Sequence, residues 1–414
     1  MTSTEDYQVD LLDPTLMADP HGVFGKLRDQ APLWRGRTMA GEPVWYVMGS
    51  PEVRAVLADN RFVVTPVLPA PGTENVRAQL LAGMGVPPEL AKYLQDLLPD
   101  AEGAEHTRLR KLVSRAFTVR RVSEMRSRVE EITSALLDDI EAAGPGPVDL
   151  LKMFAYPLPS TVISELIGVP EADRAAWQEW ADVLAVLDQE KYAAALGGMV
   201  GKIEELVRRH RAEPADDLMS SLLQVHTEDG DRLSEEELVK LLITLVNTGY
   251  ETTAHLIGNG VAALLRHPEQ LAMLRRDPGL WPLAVHELVR LWVPVRVTAV
   301  RYATEPMELA GVRIEAGEAV QPVLISANTD PRQCPHPEQL DITRHEERGE
   351  SHLGFGYGVH YCLGAPLARQ TAEVGLAALF RRFPDLALAS EPEWIPNPLM
   401  VLQANLPVYP HPGK

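Results

Sequence analysis

The chain has very few residues that could cross-link it or anchor it in a membrane. Cysteine occurs only twice among 414 residues, at Cys334 and Cys362, so disulfide bonds are excluded as the framework of the fold, and a reducing cytoplasm fits this usage. The opening MTSTEDYQVD is acidic and lacks the apolar core of a signal peptide. No run approaches the roughly 18 apolar residues of a membrane span. The sequence therefore predicts a soluble, cytoplasmic protein.

Positive charge is also scarce. The 39 Lys and Arg residues face 58 Asp and Glu residues, which gives a formal net charge of -19. Nucleic acid is therefore excluded as an expected partner, because binding to phosphates needs a positive field. One local exception is the run RLRKLVSRAFTVRR, from Arg108 to Arg121, which holds six basic residues and no acid. It is interpreted either as a solvated helix face or as a docking surface.

Apolar periodicity predicts a mainly α chain with minor strand content. The residues from Glu105 to about Arg275 are almost wholly helical in pattern, and the strongest prediction is one long helix from Leu233 to Leu265. Ser234 and Glu237 form a capping box at its start. Its middle is polar, and buried polar groups cost free energy unless a partner satisfies them. Other predicted elements are helices at Pro20–Gln30, at Ser50 (as N-cap) onward, at Pro282–Trp292 and at Leu363–Phe380, and strands at 42–48, 307–314 and 319–325.

The most informative segment is FGYGVHYCLG, from Phe355 to Gly364. Glycines surround one cysteine, and a helix is predicted to begin directly after it. The partial positive charge and free N–H groups of a helix N-terminus favour thiolate over thiol. A single thiolate cannot form a closed zinc site, whereas it suits the axial position of a haem. Cys334 lies between prolines without such glycines and is interpreted as structural.

The same segment fits the pattern F-x-x-G-x-H-x-C-x-G, and the whole chain resembles the cytochrome P450 monooxygenases. The resemblance implies a single haem domain over 1–414, with haem b between the long central helix and the cysteine loop, and Cys362 as the iron ligand. A β-rich part is expected at about 1–60, 295–325 and 384–410, and an α-rich part at about 105–292 and 362–382. A monomer is expected.

The resemblance also assigns residues around the cofactor. Gly249, Phe355 and Gly364 are expected to contact the haem, and four cations or donors to bind its propionates: His106, Arg110, Arg301 and His360. Before His106 the family often has Asp-Pro-Pro-Glu, whereas this chain has Glu102-Gly103-Ala104-Glu105. A buried network that supports the cysteine loop is expected from Glu287, Arg290 and Arg344, since buried charges need such pairing.

Thr248-Gly249-Tyr250-Glu251-Thr252 resembles the family's dioxygen-activating motif, with Thr248 in place of a small apolar residue. Gly249 permits a local opening of the helix. The resemblance implies that Thr252 hydrogen-bonds the distal oxygen and that Glu251 relays protons from solvent. The hydroxyl of Thr248 is expected either to hold a further water or to touch substrate.

Substrate contacts are expected from the irregular region Arg61–Ala104, the loop 293–300 and the segment 399–401, with the particular residues Thr244, Asn247, Thr248, Val295, Arg296, Leu399 and Met400. Arg296 stands out because an unpaired guanidinium inside a pocket is costly. It is expected to face a substrate carboxylate or several carbonyls. The alternative is pairing with an internal acid or a haem propionate.

The chain looks most like soluble bacterial enzymes that tailor macrolides and other secondary metabolites, as in antibiotic biosynthesis. This implies hydroxylation or epoxidation of a bulky, oxygenated natural product with O2, and electrons from a ferredoxin and its reductase, docked on Arg108, Lys111 and Arg115. One alternative is a haem-thiolate peroxygenase or an oxidase that couples aryl or phenol rings. Another is a non-enzymatic haem sensor, which the absence of an output domain disfavours.

Overall fold

The computed structural model describes residues 9–39, 41–66, 81–185, 188–226, 230–344 and 350–412. Residues 67–80 of the irregular region expected to meet substrate therefore lie outside the described residues. Within the described ranges, no helix combines the length and apolar character that a membrane span needs.

Helices dominate, and the strands are short. The helices are α1 (Pro14–Ala18), α2 (Pro20–Gln30), α3 (Ser50–Ala58), α4 (Pro88–Ala91), α5 (Gly103–Ala116), α6 (Val119–Glu124), α7 (Arg126–Ala142), α8 (Pro157–Leu166), α9 (Arg174–Ala185), α10 (Tyr192–Ala212), α11 (Leu218–Gln224), α12 (Glu235–Gly249), α13 (Glu251–Arg266), α14 (Pro268–Arg276), α15 (Trp281–Leu291), α16 (Leu324–Asn328) and α17 (Ala365–Arg382). The strands are β1 (Val9–Asp10), β2 (Leu33–Arg37), β3 (Pro43–Val47), β4 (Phe62–Val63), β5 (Val148–Asp149), β6 (Arg301–Ala303), β7 (Met307–Leu309), β8 (Val312–Ile314), β9 (Ala319–Pro322), β10 (Ala387–Leu388), β11 (Trp394–Ile395), β12 (Leu402–Gln403) and β13 (Pro407–Tyr409).

The chain forms two compact units. The first consists of Met1–Val67, Thr133–Pro157 and Thr252–Lys414, and the second of Leu68–Ile132 and Leu158–Glu251. Every strand of the described residues belongs to the first unit, and the described elements of the second unit are helical.

The largest sheet of the first unit has the strand order β1-β2-β3-β9-β6-β4. Its central strand β3 pairs antiparallel with β2 and parallel with β9. Alternate side chains of this strand enter two different apolar clusters, with Val44 and Tyr46 in one and Trp45 and Val47 in the other. Side chains of a strand point alternately to opposite faces. The continuous apolar run PVWYV therefore reflects a strand that is buried on both sides.

The predicted capping box is confirmed, because the Ser234 side chain accepts from the backbone of Glu237 while the Glu237 carboxylate accepts from the backbone of Ser234. The single long helix is wrong in one respect, since α12 ends at Gly249 and α13 begins at Glu251. Threonine hydroxyls just before this break bond back to carbonyls one turn earlier: Thr244 to Lys240 O at 2.8 Å and Thr248 to Thr244 O at 2.7 Å. Such bonds often bend helices.

Other helix starts also differ from the prediction, and α15 runs from Trp281 to Leu291 and not from Pro282 to Trp292. Ser50 is the first residue of α3 and not its N-cap, because its backbone N–H donates to Asp330 Oδ2 at 2.8 Å and its position before Pro51 is already helical. Helix α17 begins at Ala365 and not at Leu363, with Gly364 as its N-cap. The two residues that follow Cys362 therefore still belong to the loop.

Candidate active site

The cysteine loop in the first unit is shaped by glycine. Gly356 and Gly358 have φ of 76° and 75°. Glycine adopts this left-handed conformation readily, whereas it is strained for residues with a Cβ. A Cβ on Gly358 would lie 2.4 Å from Leu57 O, so no larger residue fits there. The Cys362 N–H donates to Phe355 O at 2.9 Å, which closes the loop, and α17 starts three residues later. This turn leaves Cys362 exposed, whereas Cys334 is buried.

Arg301 and His360 also lie in the first unit. Arg301 is the first residue of β6 and is only 6% exposed, and its Nη1 donates to Phe62 O at 3.4 Å. His360 is half-buried and ends a single 3-10 turn, Gly358–His360, two residues before Cys362. The first unit therefore supplies one buried cation and one imidazole to the candidate site.

Glu287, Arg290 and Arg344 form one buried network. The Glu287 carboxylate accepts from Arg290 Nε at 2.7 Å, from Arg290 Nη2 at 2.8 Å and from Arg344 Nε at 3.0 Å. Both arginines also donate to backbone carbonyls of the segment 335–339. Glu287 is fully buried and Arg290 is 2% exposed, so the pairing offsets the cost of burying both charges.

The segments 293–300 and 399–401 meet in the first unit. The Arg296 N–H donates to Leu399 O at 2.7 Å, the Val401 N–H donates to Pro294 O at 2.8 Å, and Val295 forms an antiparallel bridge with Met400. Arg296 is 4% exposed, and its Nε and Nη1 are shielded from solvent without a hydrogen-bond partner among the described residues. Burial lowers the pKa of this guanidinium.

In the second unit, α5 carries the basic run. His106 is buried and Arg110, one turn later, is half-buried on the same face. The departure from the family pattern has a structural counterpart, since α5 begins at Gly103, with φ of 55°, and has no side-chain N-cap. Arg108 is committed to acids: it contacts Glu105 at 2.7 Å, Asp231 at 3.2 Å and also Glu237. The other two basic candidates are exposed: Lys111 and Arg115.

Two acids of the second unit, Glu251 and Asp182, lie close enough for the charge of one to affect the other. Burial, followed by the charge of Asp182, raises the pKa of Glu251. Asp182 is held in place, since its Oδ1 accepts from Tyr250 Oη at 2.9 Å and from Gln178 Nε2 at 2.7 Å. Gly249 packs closely on α8, because a Cβ there would lie 2.9 Å from Ile163 Cδ1. Glu251 is therefore disposed to hold a proton at higher pH than an exposed glutamate.

The other polar residues of this region differ in their hydrogen bonding. The Thr244 and Thr248 hydroxyls both donate within the helix, which is the ordinary behaviour of mid-helix threonine. The Oδ1 of Asn247 is shielded and has no partner in the described part of the chain. Thr252, in the first turn of α13 and in the first unit, is half-buried.

Comparison with known proteins identifies the family. The sequence matches the family model for Cytochrome P450 over residues 176–277 and 280–409. It is 42% identical to the Cytochrome P450 monooxygenase PikC of Streptomyces venezuelae, over 94% of this chain and 91% of that protein. The chain belongs to the cytochrome P450 family.

This P450 is similar to other bacterial members. It shares 41% identity with the 6-deoxyerythronolide B hydroxylase of Saccharopolyspora erythraea, over 94% of the chain and 93% of the relative. The structure of the P450 PksS of the Bacillus subtilis bacillaene polyketide synthase matches with a TM-score of 0.86 and 33% identity, over 97% of this chain and 99% of that one. The predicted fold, mainly α with small sheets, is thereby confirmed.

P450 enzymes bind haem through a cysteine thiolate, and the cysteine loop fits such a group. The Cys362 side chain is exposed at a glycine turn just before a helix N-terminus, where a thiolate is favoured. A Cβ on Gly364 would lie 3.9 Å from Cys362 Sγ, with no other contact within 4 Å among the described residues, so the backbone leaves room for a flat ligand. A buried cation in the same unit, Arg301, suits a carboxylate of the ligand.

Sequence reasoning missed a second support of the cysteine loop. His286 on α15 and His352 hydrogen-bond at 3.1 Å between Nδ1 and Nε2, and Glu350 Oε2 lies 3.9 Å from His286 Nδ1. Glu350 in turn accepts from Tyr361 Oη at 2.8 Å and from Arg369 at 2.6 Å. His286 directly precedes the Glu287-x-x-Arg290 pair and His352 lies three residues before Phe355, but only the tertiary structure brings them together.

Proposed function

We propose that this P450 is a haem-thiolate monooxygenase that inserts one oxygen atom from O2 into a bulky, oxygenated natural product, by hydroxylation or epoxidation. The observation that carries the proposal is the exposed Cys362 on a glycine-shaped loop ahead of α17. The buried Glu287 network supports it, since α15 and the segment before the cysteine loop are joined by buried ion pairs.

The cofactor is haem b. Haem bound through a thiolate activates O2, and electron density from the sulfur favours cleavage of the O–O bond. Cys362 would ligate the iron. Arg301, His360, His106 and Arg110 would bind the propionates, because each offers a cation or an N–H donor.

Glu251 and Thr252 deliver protons. A carboxyl group whose pKa is raised by burial and by Asp182 is protonated in a larger fraction of molecules near neutral pH, so it can donate and be refilled from solvent. Thr252 holds the last hydrogen bond of the path. We expect Thr252→Ala to consume reductant and O2 with little product, and Glu251→Gln to slow turnover by about 10² or more. Product formed per reductant consumed distinguishes the two.

The substrate is a polyketide or macrolide. Support comes from relatives named for such roles: the 6-deoxyerythronolide B hydroxylase and the P450 of the bacillaene polyketide synthase. The proposed contact residues are Thr244, Asn247, Thr248, Val295, Arg296, Leu399 and Met400. Asn247 presents an unsatisfied acceptor, which suits a substrate hydroxyl. The hydroxyl of Thr248 is engaged within α12, so its methyl group is the better candidate for substrate contact.

Electrons come from a ferredoxin and its reductase, since bacterial P450 enzymes use redox partners such as ferredoxin. The exposed Lys111 and Arg115 are the stronger docking residues, because the charge of Arg108 is offset by three acids. We expect Lys111→Glu to slow reduction at low salt and the difference to shrink as salt rises. Reduction rates that depend neither on the Lys111→Glu substitution nor on salt concentration would contradict docking at this surface.

One experiment tests the function as a whole. The purified holoenzyme is reduced under carbon monoxide to record whether the absorption band is that of a thiolate-ligated haem. It is then supplied with macrolide and linear polyketide scaffolds, once with ferredoxin, reductase and O2 and once with hydrogen peroxide. Oxygenated product from the first system supports the proposal. Product from peroxide alone, or only coupled products, would establish the peroxygenase or oxidase alternative.

A further inference from the structure

Arg296 is a buried cation of the first unit, and no acid among the described residues pairs with it. The residue is 4% exposed, and its Nε and Nη1 are shielded without an acceptor among the described residues. Unlike a lysine or histidine, an arginine cannot shed its charge in a protein. Burial of an unpaired guanidinium is unfavourable, so an arginine without an acceptor among the described residues is suited to an anion that binds from outside.

Two neighbouring groups share this deficiency. Trp292, four residues earlier, has a shielded Nε1 without a partner among the described residues, and an indole N–H can only donate. The ring of His21 packs edge-on against Trp292, with centroids 5.7 Å apart, and its shielded Nδ1 likewise has no partner there. Burial, the largest cause, lowers the pKa of His21 to about 4 against the opposing charge of Asp19, with smaller lowering effects from Arg290 and Arg296. Arg296 and Trp292 thus both present shielded N–H donors without an acceptor among the described residues.

The backbone of Arg296 places the cation at the junction of two chain segments. Its N–H is bound by Leu399 O at 2.7 Å and its carbonyl accepts from the Ile325 N–H at 3.2 Å, so the residue is held on both sides. The adjacent Val295 is bridged to Met400. These are the segments proposed to meet the substrate, whereas the propionates have four other proposed partners.

We propose that Arg296 binds a carboxylate or enolate of the substrate, so that this enzyme selects acidic natural products over their neutral esters. The inference rests on the proposed function, because it names the chemistry of the substrate of that same site. A planar anion matches the guanidinium, whose N–H groups form a fork that binds two oxygens at once. The same chemistry could come from a haem propionate, and the test separates these two sources.

The probes are myristic acid and methyl myristate, a pair that differs only in the charged group. Binding to the holoenzyme is measured by the spin-state change of the ferric haem and, independently, by calorimetry. We expect the wild type to bind the acid at least about tenfold more tightly than the ester. Arg296→Gln should abolish this preference, and Arg296→Lys should retain part of it. The control is Arg313→Gln, which removes an exposed arginine of β8 and should leave the preference unchanged.

Equal affinity of the wild type for acid and ester, including no binding of either, would overturn the proposal, as would an unchanged preference in Arg296→Gln. The haem-propionate source is tested by the rate at which haem transfers from each variant to apomyoglobin. Faster loss from Arg296→Gln with an unchanged ligand preference would reassign Arg296 to the haem. The carbon monoxide spectrum of each sample separates these outcomes from failure of the proposed function, which would show as a missing thiolate-type band.

Discussion

Arg290 and Arg296 are six residues apart and are 2% and 4% exposed, yet their surroundings are opposite. Arg290 makes five hydrogen bonds, two to the Glu287 carboxylate and three to backbone carbonyls. The described residues offer no hydrogen-bond partner to the shielded Nε and Nη1 of Arg296. Burial therefore does not distinguish a structural arginine from a binding one, whereas the set of acceptors does.

His255 shows a third way to bury a base. It is completely buried, and burial lowers its pKa to about 4. It accepts at Nδ1 from the Gln403 N–H at 3.3 Å and hydrogen-bonds Tyr156 Oη at 2.8 Å, so the neutral ring is satisfied. Histidine can lose its proton, which arginine cannot do. Only Arg296, among these three residues, needs an anion from elsewhere.

The largest effect is expected at Arg290. Arg290→Met leaves the Glu287 carboxylate buried with one arginine fewer, which should cost about 3–5 kcal/mol of the free energy of unfolding. Denaturant unfolding of the holoenzyme, followed by helix content, measures it. Arg313→Met, on the exposed face of β8, should stay within about 0.5 kcal/mol of wild type. A loss at Arg290 as small as that at Arg313 would contradict the structural role of the network.

An intermediate effect is expected from pH at His255. Its pKa is about 4 in the folded protein and 6.5 as the ordinary value, so below pH 6.5 the unfolded chain binds a proton that the folded chain refuses. Stability should therefore fall by up to about 3 kcal/mol as the pH drops from 6.5 to 4. The free energy of unfolding, measured at several pH values in this range, should change less with pH in His255→Gln than in the wild type. The same slope in both proteins would show that other groups cause the loss.

The smallest effect is expected at Arg296. Without ligand, Arg296→Met replaces an unpaired buried charge with an apolar side chain of similar length, which should leave stability unchanged or raise it by about 1 kcal/mol. Thermal unfolding of ligand-free holoenzyme compares it with Arg290→Met. A destabilisation of more than about 2 kcal/mol would mean that Arg296 has structural partners and would remove the contrast between the two arginines.

The parts of the site that depend on local spacing could be predicted from the sequence. The glycines around Cys362, the capping box of Ser234 and the Glu287-x-x-Arg290 pair are all readable from neighbouring letters, because each depends on turn or helix geometry. The capping box is confirmed, and the roles of the site residues remain predictions. Asp182 beside Glu251 and His286 beside His352 were not predictable, since each pair is distant in sequence and only packing joins it. The local opening expected at Gly249 lies where the helix breaks, but the separation into two helices at Tyr250 was not predicted, because the apolar pattern continues across it.

Two histidine rings beside the cysteine loop, His352 and His286, form hydrogen bonds whose donors and acceptors follow a fixed order. The Gly354 N–H donates to His352 Nδ1 at 3.2 Å, so the proton of His352 sits on Nε2 and is donated to His286 Nδ1. His286 must then carry its own proton on Nε2. A second proton on either ring would turn an acceptor into a donor that faces another N–H. The backbone just ahead of Phe355 is thereby linked through two histidine rings to α15, so the tautomer of one ring fixes that of the other.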